Sequence, residues 1–147
     1  MSRAPAVAAS GIQVGGRLRP LPEARVRQVV AAVLKGERRQ AEISVTFLGR
    51  DAMRRLNASA LGRHYPTDVM AFPLPAPDGA LMGDVYLCPW VAARSARRHR
   101  IPVRQELVRL IVHGTLHVLG WDHPEDAAAR TSSSMWTRQE RYVAELA

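Results

Sequence analysis

The stretch VHGTLHVLGWDH, from Val112 to His123, gathers three of the chain's five histidines at His-x3-His-x5-His spacing. His113 and His117 stand four residues apart, so on a helix both imidazoles leave one face about a turn from each other. That bite suits a tetrahedral cation. Gly120 permits a sharp turn, and the following Trp-Asp-His brings His123 back toward the pair. Three neutral imidazoles leave one coordination position open, whereas a closed structural site wants a fourth protein ligand, commonly Cys. The single cysteine, Cys88, lies far upstream. An open three-histidine site is a catalytic arrangement, because it admits water and lowers its pKa toward about 7. Burying three unpaired imidazoles as mere packing would cost too much. The pattern predicts a metal site with His113, His117 and His123 as its ligands.

The metzincin proteases share this spacing, in H-E-x-x-H-x-x-G-x-x-H. HGTLHVLGWDH fits at every position but one: the protease's general-base Glu is Gly114 here. A glycine cannot activate water or protonate a leaving amine, so peptide hydrolysis is the weaker alternative.

The elements that must position these residues can be read from periodicity. SGIQVGGR alternates weakly, as a short first strand would. Val26, Val29, Val30, Val33 and Leu34 recur at helical spacing, with Pro22 near the start and Gly36 placed to stop the helix. A strand is expected over about 42–48, then a helix through RDAMRRLNASAL with Met53 and Leu56 inward. TDVMAFPL and GDVYLCP, separated by a turn-rich segment, predict a hairpin. Pro89 opens a helix that Ile101-Pro102 ends. The next helix, from about Val103 to Leu119, is apolar nearly all round and so belongs in the centre of the fold, with Gly120 as its C′ residue. A last helix covers roughly 127–144. Four strands and about five helices in irregular order predict an α+β fold, one domain over 1–147, with 1–10 as a flexible tail.

Composition bounds the function classes. At 147 residues, 47% apolar and 23% charged, the profile is that of an ordinary globular domain. One cysteine excludes an intramolecular disulfide framework and suits a reducing compartment. No run is long and apolar enough to span a membrane, and the first residues lack a secretory core, so a cytoplasmic location is expected. The net charge is +8, with 21 basic against 13 acidic residues, and Lys35 is the only lysine. Such an arginine surplus suits a polyanionic partner such as RNA, and equally suits a coding bias toward arginine.

Beyond the histidines, the order of segments carries a family resemblance. ISVTFLGRDAMRRLN, PTDVMAFP, GDVYL, QELVRLIVHGTLHVLGWDH and MWTRQE together resemble the YbeY family, the bacterial single-strand-specific metallo-endoribonucleases of ribosomal RNA maturation. The resemblance implies one zinc ion per chain on His113, His117 and His123, acting in their catalytic role through the metal. It also implies a small mixed sheet, and action on single-stranded RNA in 3′-end processing of small-subunit ribosomal RNA and in ribosome quality control. The family commonly carries an Arg about five residues before the Pro of PTD, and Leu61 takes that place here. Arg63, two residues on, is then the candidate phosphate contact, or else a solvated loop charge.

Arg94, Arg97 and Arg98 share one side of a helix and form either a sequence-independent RNA track or a solvated face. Asp122 reads either as an acceptor orienting a histidine or as a turn or cap residue. Asp84 reads either as facing the cleft from a strand edge or, by default, as satisfying loop amides; Thr67 and Asp68 read by default as loop residues, and Met135 as core. His64 and His99, in polar surroundings, are not expected as ligands.

Overall fold

Along Ala41–Phe47 every second side chain is buried, the period of a strand with one face on a core. The computed structural model describes residues 11–16, 20–76 and 78–147, so the tail expected over 1–10 lies outside the described residues. Its elements are β1 (Ile12–Gly15), α1 (Glu23–Glu37), β2 (Ala41–Phe47), α2 (Arg50–Leu61), β3 (Val69–Pro75) and β4 (Leu81–Leu87). They are followed by α3 (Pro89–His99), α4 (Val103–Val118), α5 (Ala127–Thr131) and α6 (Ser134–Leu146). The strands form one sheet in the order β1-β2-β4-β3. β1 and β4 run parallel to β2, and β3 closes the edge antiparallel to β4 as the expected hairpin. The fold is α+β with a mixed sheet. No helix among the described residues is long and apolar enough to cross a membrane.

Two helix boundaries differ from the sequence reading. α1 continues through Gly36 and stops at Arg38, which takes the left-handed conformation at φ 56°. Gly36 serves contact instead: the Tyr142 hydroxyl stands where a Cβ would be. The last helix is two helices, giving six among the described residues and not five. Asp126 caps α5 by accepting from the Ala129 amide at 2.9 Å, and Ser133 caps α6 by accepting from the Trp136 amide at 3.2 Å. The serine run interrupts the helix because its hydroxyls bond the preceding carbonyls, Ser133 to Arg130 at 2.6 Å.

The main core lies where Val26, Val30 and Val33 of α1 meet Leu107, Ile111 and Leu116 of α4 over Ile43, Val45 and Val85 of the sheet. A smaller cluster of Met53, Met70 and the buried Cys88 seats α2 against the sheet. α4 sits close on β4 because each supplies a glycine opposite the other's valine. A Cβ on Gly83 would stand 2.5 Å from Val118, and one on Gly114 would stand 2.5 Å from Val85. Gly114, missing as a protease base, thus has a packing role.

Gly114→Ala should gain about 1 kcal/mol of helix propensity and lose about 1–3 kcal/mol to overpacking against Val85. Urea denaturation of both single variants and the double should find Gly114→Ala net destabilised. The pair with Val85→Ala should be more stable than additivity predicts, because the new methyl fills the space vacated. Strict additivity would deny the contact.

Candidate metal centre

α4 is buried on every side except one, and that side carries His113 and His117. The helix ends in paired backbone bonds, Gly120 N–H to His117 O and Trp121 N–H to Leu116 O, both at 3.0 Å, with Gly120 at φ 103°. This reversal carries His123 back over the helix end. Ring centroids of the three histidines lie 4.6, 5.0 and 4.8 Å apart, and one nitrogen from each falls within 4.8 Å of the others. They are near enough to be drawn onto one cation, and imidazole nitrogen is a donor that zinc accepts.

The proton positions are set by what surrounds the rings. Arg109 donates two hydrogen bonds to Glu140, each 2.9 Å, so that carboxylate is ionised and accepts only. The Gln139 amide nitrogen therefore faces Glu140 at 3.0 Å, and its oxygen faces His113 Nδ1 at 2.6 Å. His113 must donate from Nδ1, which leaves Nε2 bare toward the cleft. His123 is fixed the same way, its Nδ1 meeting the Pro124 carbonyl at 2.9 Å. The polar chain runs on from Arg109 to Glu106 at 2.9 Å and from Glu106 to Ser95 at 3.3 Å, tying α6 to α3. Gln139 is fully buried, yet nothing in the sequence reading marked it. Its signal was its place on the inward stripe of α6 with Met135, Tyr142 and Val143.

Burial pushes His113 down to about 4, with the charge of His117 next in effect. His117 is lowered by burial and then by His123, against a backbone hydrogen bond at Trp121. Both are therefore neutral near pH 7, the form a metal requires. The turn before His123 is clamped from outside. Trp121 donates its indole N–H to Glu37 at 2.9 Å and lies 5.3 Å beneath the Arg138 guanidinium. Glu37 also accepts from the Tyr142 hydroxyl at 2.5 Å and pairs with Arg138 at 2.9 Å. Burial alone would raise the Glu37 carboxyl, but those donors and the Arg138 charge hold it below its usual range.

The triad opens into a cleft of about 1170 Å³. Arg63 lines it and stands 3.9 Å from Glu125, while Leu61 lines it with no charge to offer. Arg130, not singled out from sequence, also lines the cleft, and its charge depresses both His113 and His117. Of the three arginines expected together, Arg98 reaches the cleft; Arg94 and Arg97 are not among its lining. Thr67 and Asp68 line it too, where burial raises the Asp68 carboxyl. Asp122 accepts from the His123 amide at 2.8 Å; no imidazole bond is formed and it caps no helix. Asp84 faces a separate hollow, accepting from Ser44 at 2.6 Å. Met135 is core, and neither His64 nor His99 joins the triad.

A histidine triad with oriented rings, set in an arginine-bearing cleft on an α+β sheet, defines a candidate hydrolase centre for an anionic substrate. Comparison with known proteins agrees. The family model for Endoribonuclease YbeY matches residues 19–147. The Endoribonuclease YbeY of a Thermotoga species is 32% identical over 122 residues, covering 82% of this chain and 78% of the relative. That of Chloroherpeton thalassium is 33% identical over 127 residues, covering 86% and 87%. That of an Anaeromyxobacter species is 43% identical over 126 residues, covering 84% and 62%. A solution structure of a Thermotoga maritima protein superimposes with a TM-score of 0.67 at 28% identity, covering 92% of this chain and 88% of that one. The chain belongs to the YbeY endoribonuclease family.

The His113 shift fixes a pH dependence for metal-free protein. Its folded pKa, about 4, lies below the unfolded value of 6.5. The unfolded state thus binds more protons between those limits, and stability should fall as pH drops from about 6.5 to about 4, by of order 3 kcal/mol at most. Denaturation of chelator-treated protein across that range should show the decline, and His113→Asn should make it shallower, with His117 supplying the remainder. Equal slopes for both proteins would disprove the assignment.

Proposed function

We propose that this chain is a zinc-dependent, single-strand-specific endoribonuclease acting in 3′-end processing of small-subunit ribosomal RNA and in ribosome quality control. The observation that carries the hydrolytic reading is the triad's prepared state: His113 and His123 have their Nδ1 protons engaged by acceptors, so Nε2 of each is bare. The relatives named above are endoribonucleases, which supports RNA as the substrate. The small ribosomal subunit is the proposed partner and the cytoplasm the proposed location. One domain, 1–147, is the proposed unit.

His113, His117 and His123 would hold the ion, one per chain. Bound there, it supplies Lewis-acid polarisation of the scissile phosphate and activation of water. The protein's own contributions are orientation and charge. The Gln139–Glu140–Arg109 chain keeps His113 in one tautomer and one rotamer. Arg63, Arg98 and Arg130 place guanidinium groups along the cleft, where planar paired donors match phosphate oxygens. Arg109 is committed to Glu106 and Glu140 and remains structural. Gly114 packs on Val85, so no acid from that position serves a leaving amine, and peptide cleavage is disfavoured.

Native mass spectrometry should find about one zinc per chain, lost in His117→Ala together with cleavage of single-stranded RNA. Casein should not be cut. Full zinc occupancy in His117→Ala, or chelator-sensitive casein cleavage at enzyme-like rates, would overturn the reading.

Gln139→Leu keeps approximate size but removes the acceptor from His113. Zinc affinity, measured by competition with a chromophoric chelator, should fall about 10- to 100-fold. Unchanged affinity would show that His113 is oriented without Gln139.

A further inference from the structure

α3 turns Ala92, Ser95 and Ala96 inward and shows solvent a stripe of Trp90, Arg94, Arg97 and Arg98, at i, i+4, i+7 and i+8. Trp90 is a large apolar side chain left 43% exposed. A lone exposed tryptophan is unremarkable, but this one is held between elements. The Arg94 guanidinium lies 4.8 Å from its ring centroid, and that of Arg50, at the start of α2, lies 5.2 Å from it. Both are within cation–π range. Arg94, Arg97 and Arg98 have no acidic partner among the described residues, whereas Arg27, Arg50, Arg54, Arg63, Arg109 and Arg138 each pair with a carboxylate. The stripe therefore keeps its full positive charge. Its far end, Arg98, lines the cleft. From Trp90 to Arg98 the helix rises about 12 Å, so the two ends lie within reach of a single strand.

We propose that Trp90, flanked by Arg94 and Arg50, is a second contact for single-stranded RNA, outside the cleft and joined to it along α3 by Arg97 and Arg98. The proposal rests on the endoribonuclease reading of the cleft. The physical match is specific. Beside the two guanidinium groups Trp90 keeps 43% of its surface open to a stacking base, and the guanidinium groups extend that surface and meet phosphates. Recognition of this kind ignores sequence. It grips the flank of a strand whose scissile bond lies in the cleft, and so favours longer RNA. A double helix offers no unstacked base to the indole, so the contact also selects single strands.

The test is initial-rate kinetics of the zinc-loaded protein on two unstructured RNAs, of ~4 and ~16 nucleotides, which span the footprints of single-strand binders. The parent should favour the longer RNA roughly tenfold in KM, the order expected for one stacked base. Trp90→Ala should abolish most of that preference, and Trp90→Phe should retain most of it. Arg94→Gln should make the log–log salt dependence of binding the longer RNA shallower, by about 0.7 for each phosphate no longer neutralised. Thermal melts close to the parent's establish that the variants are folded. A length preference in Trp90→Ala equal to the parent's would overturn the proposal, as would equal losses on both RNAs. A parent that cuts neither RNA would sink the endoribonuclease reading, and this proposal with it.

Discussion

The distance between α4 and β4 is the constraint on which the rest of the molecule depends. Gly83 makes room for Val118, and Gly114 makes room for Val85, so helix and strand interlock at two points along their length. Two such points fix rotation as well as separation. The rotation decides which side of α4 remains uncovered, and that side carries His113 and His117. A helix turned by one residue's angle, about 100°, would bury one of the two imidazoles. Dense packing between an apolar helix and a sheet therefore sets the geometry of a polar site.

Buried polar groups complete what packing begins. Glu106, Arg109, Gln139 and Glu140 lie at least half under the surface, and each satisfies the others. Arg109 fixes Glu140 as an acceptor, so the direction of the Gln139 and His113 bonds beyond it follows from their neighbours. The result is information delivered to one atom, His113 Nδ1. A partly satisfied line of this kind would be costly, and an apolar replacement would leave the ring free to choose either tautomer.

The sequence made much of this legible. The histidine triad was readable because its spacing is local, with one helical turn between His113 and His117 and a glycine turn before His123. The apolar stripes of α1 and α4 and the β3–β4 hairpin were readable because each reports a single period. What escaped depends on pairs distant along the chain. Gly36 looks like a helix stop until Tyr142 is seen against it. Gln139 looks like an incidental polar residue on α6 until α4 is beside it. Arg130 lines the cleft from a stretch whose serines divide one expected helix into two. Trp90 completes the arginine stripe at a spacing visible from the outset, but the approach of Arg50 from α2 is not visible there.

The clamp on Trp121 has a consequence for the order of events at synthesis. The chain emerges from its N-terminal side, so Glu37 and all three histidines precede Arg138, Gln139, Glu140 and Tyr142. A nascent chain that has released α4 but not α6 can place His113 and His117 on one face. It still lacks the acceptor for His113 and the donors that hold Glu37 against Trp121. Orientation of the centre thus awaits the docking of α6, an element made after every residue it helps to hold in place.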